Sequence, residues 1–368
     1  MAVPRHVGLN LVFVVPGETG GMEVAARELI PALVAATPDV RFTAFVGREA
    51  GPGPWGELIP AVTVPVRASN RVAWVGGEQL LLPGLAARAG IDLMHSLAST
   101  APVWGPFRRV VTVHDLIYAR FPEAHAGLRS LGMRGLVPFG VRASHRVIAD
   151  STSTRDDLVD LLGTPAAKID VVPLGLGRVA RVPPAPEALI RDRLRLGTRP
   201  VLLSLSAKRP HKNLAALLDA LALLDDRPIA VIAGYATDYE RELRDRARDL
   251  GLDDDVRWPG WLAADELEGL WALTDGFVFP SLYEGFGLPV LEAMARGVPV
   301  ACSNASSLPE VVGSAALLFD PHDPRAIAAA LRRLPAEAER LRPAGLARAR
   351  EFTWERTARA TLDVYSRA

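Results

Sequence analysis

The 368-residue sequence contains little cysteine, little lysine and no long apolar run. Its single cysteine, Cys302, excludes an intrachain disulfide and a metal site built from several cysteines, which fits a reducing compartment. No run of about 18 apolar residues is present, and the first residues lack the charged start and apolar stretch of a signal peptide. We therefore expect a cytoplasmic protein.

Net charge is also absent, because 42 basic residues balance 42 acidic residues. A dedicated nucleic-acid binder usually carries a basic excess, so the sequence predicts no nucleic-acid partner. Only three of the basic residues are lysines, namely Lys168, Lys208 and Lys212, and the others are arginines. Two lysines four residues apart in such a chain are candidates for a specific role.

Short β-branched runs alternate with amphipathic helices along the whole chain. The first half contains seven predicted strands, at Val7–Val15, Phe42–Val46, Val62–Val66, Leu93–His95, Val110–Val113, Val147–Ala149 and Ile169–Val172. The second half contains six, at Val201–Leu205, Ile229–Ala233, Val256–Trp258, Phe277–Phe279, Val298–Ala301 and Leu317–Phe319. Repeated strand and helix predict α/β domains with parallel sheets that are covered on both faces.

A segment rich in proline and glycine, residues 173–188, divides this pattern and predicts a linker. We predict two Rossmann-like, doubly wound domains, over residues 1–175 and 176–350. Open parallel sheets bind ligands beyond the carboxyl ends of their strands, so a ligand is expected in a cleft between the two domains. Residues 351–368 predict a terminal helix that begins after Thr353 and carries one apolar face.

The segment Glu284-Gly-Phe-Gly-Leu-Pro289 follows a predicted strand and precedes a predicted helix. Glycine lets backbone N–H groups approach an anion, and the start of a helix adds partial positive charge, so a phosphate or pyrophosphate is the expected ligand. Two carboxylates with seven residues between them, Glu284 and Glu292, flank this anion site. Carboxylates suit the paired hydroxyls of sugars. The same spacing would also arise if Glu284 were a solvated loop residue and Glu292 a residue that complements the helix dipole.

The element Glu-x7-Glu with Gly-Phe-Gly-Leu-Pro inside it resembles the retaining nucleotide-sugar glycosyltransferases of family 4, which have the GT-B fold. The resemblance covers about 300 residues, with further matching motifs at Gly20-Gly-Met-Glu23, Thr112-Val-His-Asp-Leu116, Val172-Pro-Leu-Gly175, Trp258-Pro-Gly-Trp261 and Ser307-Leu-Pro-Glu310. It implies a terminal helix that returns to the N-terminal, acceptor-binding domain. It also implies that the C-terminal domain binds the nucleotide-sugar donor.

The resemblance implies a role for each matching residue. Glu284 would hold hydroxyls of the donor sugar, Glu292 would hold the ribose, and Lys212 would neutralise the departing diphosphate. The backbone of Phe286, Gly287 and Leu288 would approach the diphosphate or the sugar. In the N-terminal domain, Gly20 and Gly21 would let a loop close over the phosphate, and His114 would reach the donor sugar or its phosphate. The segment around Trp261 would border the base.

Three of these motifs also have ordinary structural interpretations. A histidine after a strand is often structural, a glycine pair is often a turn, and Trp261 would suit packing at a domain edge.

The sequence departs from the family pattern at one point. Many members carry glycine and arginine six and five residues before the lysine, where this chain has Ser206 and Ala207. Uncompensated negative charge in a closed site would be costly, so we expect Lys208 to supply the missing cation, with Arg209 as the second candidate.

The sequence therefore predicts a retaining hexosyltransferase that uses a GDP-, UDP- or dTDP-linked sugar. Its acceptor would be a hydroxyl on a glycan, a lipid-linked sugar or a natural product. No cofactor and no metal are predicted, and no side chain stands out as a covalent nucleophile. The oligomeric state is not predicted.

Two alternatives remain open at this point. The first is a sugar phosphorylase or hydrolase that uses the two glutamates as an acid and a base. The second is a catalytically silent nucleotide-sugar-binding regulatory protein, which the missing arginine favours.

Residues 126–149 contain basic and apolar residues but no acid, which fits peripheral contact with a membrane as well as an ordinary solvated helix face.

Overall fold

The computed structural model describes residues 4–121, 128–177 and 182–368. The chain forms two units, the first comprising Met1–Gly177 with Phe352–Ala368 and the second comprising Arg178–Glu351. Residues 178–181 of the predicted linker lie outside the described residues. So do residues 126 and 127 of the basic stretch.

The first unit is built on a parallel sheet of seven strands in the order β3-β2-β1-β4-β5-β6-β7. The strands are β1 (His6–Leu11), β2 (Arg41–Val46), β3 (Ala61–Thr63), β4 (Leu93–Ser96), β5 (Arg108–Val113), β6 (Arg146–Ala149) and β7 (Ile169–Val171). Each predicted strand of this half is confirmed, but two end early. β1 stops at Leu11 because the chain turns there, with the Val14 N–H donating to Leu11 O (3.1 Å). A similar turn, with the Val66 N–H donating to Val64 O (2.7 Å), follows the end of β3.

Helices connect these strands and bury their apolar faces against the sheet. They are α1 (Gly21–Ala36), α2 (Arg71–Gly76), α3 (Leu82–Ala89), α4 (Ile117–Arg120), α5 (Leu128–Ala143) and α6 (Thr152–Leu162). One face of α1 is apolar and buried, and it comprises Ala25, Ala26, Leu29, Ile30 and Leu33. A π-helical turn, Gly77–Leu81, joins α2 to α3.

The second unit has a six-stranded parallel sheet in the order β10-β9-β8-β11-β12-β13. Its strands are β8 (Val201–Leu205), β9 (Ile229–Ala233), β10 (Val256–Gly260), β11 (Gly276–Phe279), β12 (Val300–Ser303) and β13 (Leu317–Phe319). Its helices are α7 (Glu187–Arg193), α8 (Leu214–Ala222), α9 (Tyr239–Asp249), α10 (Ala264–Ala272), α11 (Leu288–Ala295), α12 (Leu308–Val312), α13 (Pro324–Arg333) and α14 (Ala338–Ala349). The chain thus forms two Rossmann-like domains, as predicted.

The last helix, α15 (Trp354–Arg367), belongs to the first unit and packs against α1 and β6. Thr353 caps it, with its hydroxyl accepting a hydrogen bond from the Arg356 N–H (3.3 Å). Gly175 lies directly beside the start of this helix, and a Cβ atom there would come 2.4 Å from the Trp354 nitrogen. The predicted return of the terminal helix to the N-terminal domain is therefore confirmed. Within the described ranges, we found no helix with the length and apolar character needed to cross a bilayer.

Candidate functional site

The loop between β11 and α11 is held from two sides at the carboxyl edge of the second sheet. From the β8 side, Asn213, which has a φ of 56°, donates through Nδ2 to Pro280 O (3.1 Å). From the β12 side, the Ser306 hydroxyl accepts from the Glu284 N–H (2.8 Å), and Ser307 Oγ donates to the carbonyl oxygens of Glu284 (2.9 Å) and Phe286 (2.8 Å). Neighbouring parallel strands end at the same edge, which places these loops together. The loop is consequently fixed before any ligand arrives.

Lys212 and Glu284 meet at this loop. The Lys212 ammonium lies 2.6 Å from Glu284 Oε1, and the two side chains are only 17% and 12% exposed. The ammonium also lies 5.5 Å from the centre of the Phe279 ring. The structure therefore brings together the predicted phosphate cation and the predicted sugar-binding carboxylate, which lie 72 positions apart in the chain.

Gly287 and Glu292 belong to the start of α11. Gly287 caps the helix with a φ of 110°, and a Cβ atom there would come 2.7 Å from Leu308 Cδ2. Leu288 is the first helical residue, and Pro289 lies in the first turn, where a missing N–H is tolerated. The first N–H groups of a helix have no partner four residues earlier, so the start of α11 favours an anion. Burial raises the pKa of Glu292, which is partly buried in the second turn.

Trp261 follows β10 and is 67% exposed, so it does not pack in the core. Its ring stacks on Tyr235, which follows β9, with 4.6 Å between the ring centroids and 31° between the planes. Trp258, three positions earlier, packs against the hydrophobic core instead. The two tryptophans of one short motif thus have different environments.

Lys208 and Arg209, the two candidates for the missing cation, lie in different environments. Lys208 is completely buried, and its ammonium donates to Gly234 O at 2.5 Å. Arg209 is exposed, as expected from its alternation with Lys208. The ammonium of Lys208 is directed into the domain because the Gly234 carbonyl solvates it there, and this placement gives no support to a role on the diphosphate.

In the first unit, the predicted glycine-rich loop precedes α1. Gly20 caps the helix with a φ of 67°, which is the conformational reason for a glycine at this position. Gly21 has no such reason, because a Cβ atom there would meet nothing within 4 Å. The buried Glu23 accepts a hydrogen bond from the Gly17 N–H (3.0 Å), and the Thr19 hydroxyl bonds both backbone groups of Val15. Side chains of the loop and of α1 thus hold it in one conformation.

His114 follows β5 and has a partner on each ring nitrogen. Nδ1 lies 2.6 Å from Asp150 Oδ2, and Nε2 lies 2.8 Å from Leu97 O. Burial alone would lower the pKa of His114, but the charge and hydrogen bond of Asp150 outweigh it and raise that pKa to about 9. At neutral pH the ring is therefore a cation that donates from both nitrogens.

Sequence reasoning missed Asp150, Tyr235, Asn213 and Ser306. The first two were detectable, since Asp150 directly follows the predicted strand Val147–Ala149 and Tyr235 lies two residues after Ile229–Ala233. Polar and aromatic residues beyond the carboxyl end of a parallel strand are candidates for a ligand site. Asn213 and Ser306 act through long-range contacts to a loop, and no local pattern indicates them.

Comparison with known proteins agrees with this architecture. The family model described as "Glycosyltransferase Family 4" matches residues 19–176, and the model "Glycosyl transferases group 1" matches residues 187–345. Sucrose-phosphate synthase from Thermosynechococcus elongatus has the same fold, with a TM-score of 0.80, 21% identity and 98% of each chain covered.

Two relatives from Escherichia coli are similar in sequence. O-antigen chain mannosyltransferase B is 34% identical over 270 residues, which is 70% of this chain and 70% of that protein. The serotype-specific mannosyltransferase WbdA is 31% identical over 278 residues, which is 71% of this chain but only 34% of that protein. These matches, in both domains and at this level of identity, show that the chain belongs to family 4 of the glycosyltransferases and has the GT-B fold.

Proposed function

We propose that the protein is a retaining glycosyltransferase that moves a hexosyl group from a nucleoside diphosphate to an acceptor hydroxyl, without a metal ion. The observation that carries this proposal is the Lys212–Glu284 ion pair, 2.6 Å long, beside the glycine-capped start of α11. A cation for phosphate, a carboxylate for sugar hydroxyls and helix N–H groups for an oxyanion are thereby assembled in one place.

Donor binding would exchange the partners of this pair. The Lys212 ammonium would turn from Glu284 to the diphosphate, and the freed carboxylate would accept hydrogen bonds from the sugar hydroxyls. Both side chains are mostly buried, so leaving either charge without a partner would be costly. In this exchange the diphosphate would pair with the ammonium, and the sugar hydroxyls would donate hydrogen bonds to the carboxylate. Charge that develops on the leaving diphosphate would then meet Lys212 and the N–H groups of Gly287 and Leu288.

We propose that the acceptor hydroxyl attacks the anomeric carbon from the face that the diphosphate leaves. A phosphate oxygen of the leaving group would take the hydroxyl proton as the new glycosidic bond forms. His114 would not act as the base, because its raised pKa and its two partners keep both ring nitrogens protonated. The resemblance implies that this residue lies near the donor sugar or its phosphate, and its bonds to Asp150 and Leu97 fix the ring there.

We assign the glycine-rich loop before α1 to the donor phosphate. Glu23 and Thr19 hold this loop, and the open space at Gly21 leaves room for a ligand atom where a side chain would project. This part of the proposal follows from the family resemblance of the Gly20-Gly21 motif.

A hydrolase that uses the two glutamates as acid and base is less well supported. Such an enzyme needs one carboxyl to hold a proton and the other to stay ionised. Glu292 suits a proton, since burial raises its pKa, but it would then have to act from the second turn of a helix that the family uses for the nucleotide. The lysine paired with Glu284 has no role in simple hydrolysis, whereas a diphosphate leaving group requires a cation.

The names of both relatives support a mannosyl donor, and the name of O-antigen chain mannosyltransferase B also supports a glycan acceptor. We therefore expect a mannose-linked nucleotide to be the best donor among GDP-, UDP- and dTDP-linked sugars. The test is the release of nucleoside diphosphate from each sugar nucleotide, with and without a mannosylated oligosaccharide. Release that depends on the donor and increases with the acceptor is expected. No release from any donor would leave the regulatory protein as the better interpretation.

Substitution of Glu284 and of Glu292 should change different kinetic constants. Glu284→Gln should mainly lower kcat, because sugar orientation matters most in the transition state, and Glu292→Gln should mainly raise the KM of the donor. Each loss should amount to about 1–3 kcal/mol, the range for a hydrogen bond to a charged group. Glu339→Gln, on the exposed surface of α14, is the matched control. Kinetics like those of the control in both variants would contradict the proposed site.

A further inference from the structure

The backbone of Lys208 is bound to the loop that follows β9, residues 234–237. The Lys208 N–H donates to Tyr235 O (3.1 Å), and the Thr237 hydroxyl donates to Lys208 O. The side chain adds a third bond, from Nζ to Gly234 O (2.5 Å). Lys208, which lies three positions after the end of β8, therefore binds three of the four residues of the neighbouring loop.

Gly234 shows how closely this loop passes the end of β8. Its φ is 121°, and a Cβ atom there would come 2.4 Å from Ser206 O. Its N–H donates to Gly260 O (2.9 Å), at the end of β10. The ends of β8, β9 and β10 are thus connected through Gly234, and the Lys208 ammonium is bonded to the carbonyl of this same residue.

The loop carries one half of an exposed aromatic pair. Tyr235 is 44% exposed and Trp261 is 67% exposed, although their rings stack on each other. Tyr235 O is the acceptor of the Lys208 N–H, and Tyr235 directly follows Gly234. Any displacement of the loop from Lys208 would therefore move the Tyr235 ring relative to Trp261.

The groups around the Lys208 ammonium stabilise it in its buried position. Lys208 is fully buried, with Glu240 Oε2 at 3.9 Å, and Glu240 also pairs with Arg244 at 2.7 Å. Burial lowers the pKa of Lys208 to about 8, and the charge of Glu240 opposes this effect. A buried ammonium is costly unless a carbonyl or a carboxylate compensates it, so the bond to Gly234 O fixes lysine and loop together.

We infer that Lys208 is a positioning residue for the donor nucleotide: it fixes the loop 234–237 and, through it, the Tyr235–Trp261 pair on which the base of the donor would lie. This inference rests on the proposed function, since it takes the ligand of that site to be a nucleotide. It differs from direct contact with the diphosphate, because Lys208 acts on the base end of the ligand through Gly234 and Tyr235.

The test compares a ligand that has a base with one that lacks it. Lys208→Met keeps a linear apolar side chain and removes the ammonium, and Arg241→Met, on the exposed surface of α9, is the matched control. Calorimetry would measure the binding of GDP, UDP and inorganic pyrophosphate to the full-length protein. We expect Lys208→Met to weaken binding of the best nucleoside diphosphate about tenfold, the scale of one base–aromatic stack, and to leave pyrophosphate binding within twofold. In turnover, the KM of the donor should rise while kcat stays within twofold.

Equal weakening of pyrophosphate and nucleotide by Lys208→Met would overturn the inference in favour of direct contact with the diphosphate. Unchanged nucleotide binding would overturn it as well. If the wild-type protein binds neither GDP nor UDP, the proposed function itself fails, which is a different result.

Two further variants decide the matter if Lys208→Met does not fold. Tyr235→Ala removes the ring and leaves Lys208 in place, and Thr237→Val removes the hydroxyl bond to Lys208 O. Both should weaken nucleotide binding and spare pyrophosphate binding. Full nucleotide affinity in both variants would refute the role of this loop.

Discussion

At the scale of single residues, position along a strand is easier to predict than the partner of a side chain. Lys212 and Glu284 are both predicted site residues, but their contact depends on β8 and β11 being neighbours in the sheet. The alternation of Lys208 and Arg209 was predictable, whereas the burial of Lys208 was not. Its burial depends on Gly234, a residue 26 positions away that supplies the carbonyl.

Glu78 is a residue whose behaviour follows from its surroundings in the first unit. It is 1% exposed, and its Oε1 accepts hydrogen bonds from Asn10 Nδ2 (2.7 Å) and Thr100 Oγ1 (3.0 Å). Burial raises the pKa of Glu78 to about 7, although its hydrogen bonds act in the opposite direction. The folded protein therefore keeps a proton on Glu78 at pH values where the unfolded chain has lost it.

Because the folded pKa is raised, this proton stabilises the fold most below about pH 4.5, and the contribution is lost as the pH rises through about 7. Glu78→Gln removes the titration. The free energy of unfolding of the wild type, relative to this variant, should fall on the order of 1–3 kcal/mol between pH 4.5 and pH 8. Urea unfolding at several pH values measures it, with the exposed Glu18→Gln as control. Parallel curves for wild type and Glu78→Gln would refute the prediction.

At the scale of elements, the β-branched runs predicted every strand of the two sheets, because strands buried on both faces are continuously apolar. Their ends were less predictable, as the turns after Leu11 and Thr63 show. The π-helical turn Gly77–Leu81 had no sequence pattern of its own. It depends on close packing, since a Cβ atom on Gly77 would come 2.6 Å from Val66 Cγ2.

The contact of α15 with the first sheet gives a prediction about one hydroxyl. Tyr365 OH lies 2.7 Å from His95 Nδ1, and His95 Nε2 lies 2.8 Å from Thr112 Oγ1, with all three residues buried. Burial lowers the pKa of His95 to about 3, so the ring is neutral and one of its nitrogens needs an acceptor while the other needs a donor.

Tyr365→Phe should destabilise the first unit by about 1–3 kcal/mol, because it leaves a buried ring nitrogen without its partner. Glu18→Gln, at an exposed site of the same unit, is the control and should change the free energy of unfolding little. Denaturant unfolding gives the difference, and hydrogen exchange should show the loss of protection in α15 and β4. Equal stability of the two variants would mean that the bond between Tyr365 and His95 contributes nothing.

At the scale of the whole molecule, the sequence predicted two Rossmann-like domains and a terminal helix that returns to the first. Strand and helix alternate locally, and a local pattern is sufficient to predict this architecture. The ordered series of loop motifs then resembled one family. The residues Gly20-Gly21, His114, Lys212 and Glu284 of these motifs each follow the carboxyl end of a strand. The donor and acceptor were beyond prediction, since their selection depends on the shape of loops rather than on a residue pattern.

The last prediction concerns how the charge of the donor diphosphate is balanced. We assign that charge to Lys212 and to the N–H groups at the start of α11, where the lysine is already held by Glu284 at 2.6 Å. These groups belong to the protein, so transfer should continue at an unchanged rate in excess EDTA. Lys212→Met, by contrast, should lower kcat by about 10–100-fold, because it removes a charge-assisted bond from the transition state. If EDTA abolished transfer and magnesium or manganese restored it, the assignment of the diphosphate charge to Lys212 would have to be abandoned.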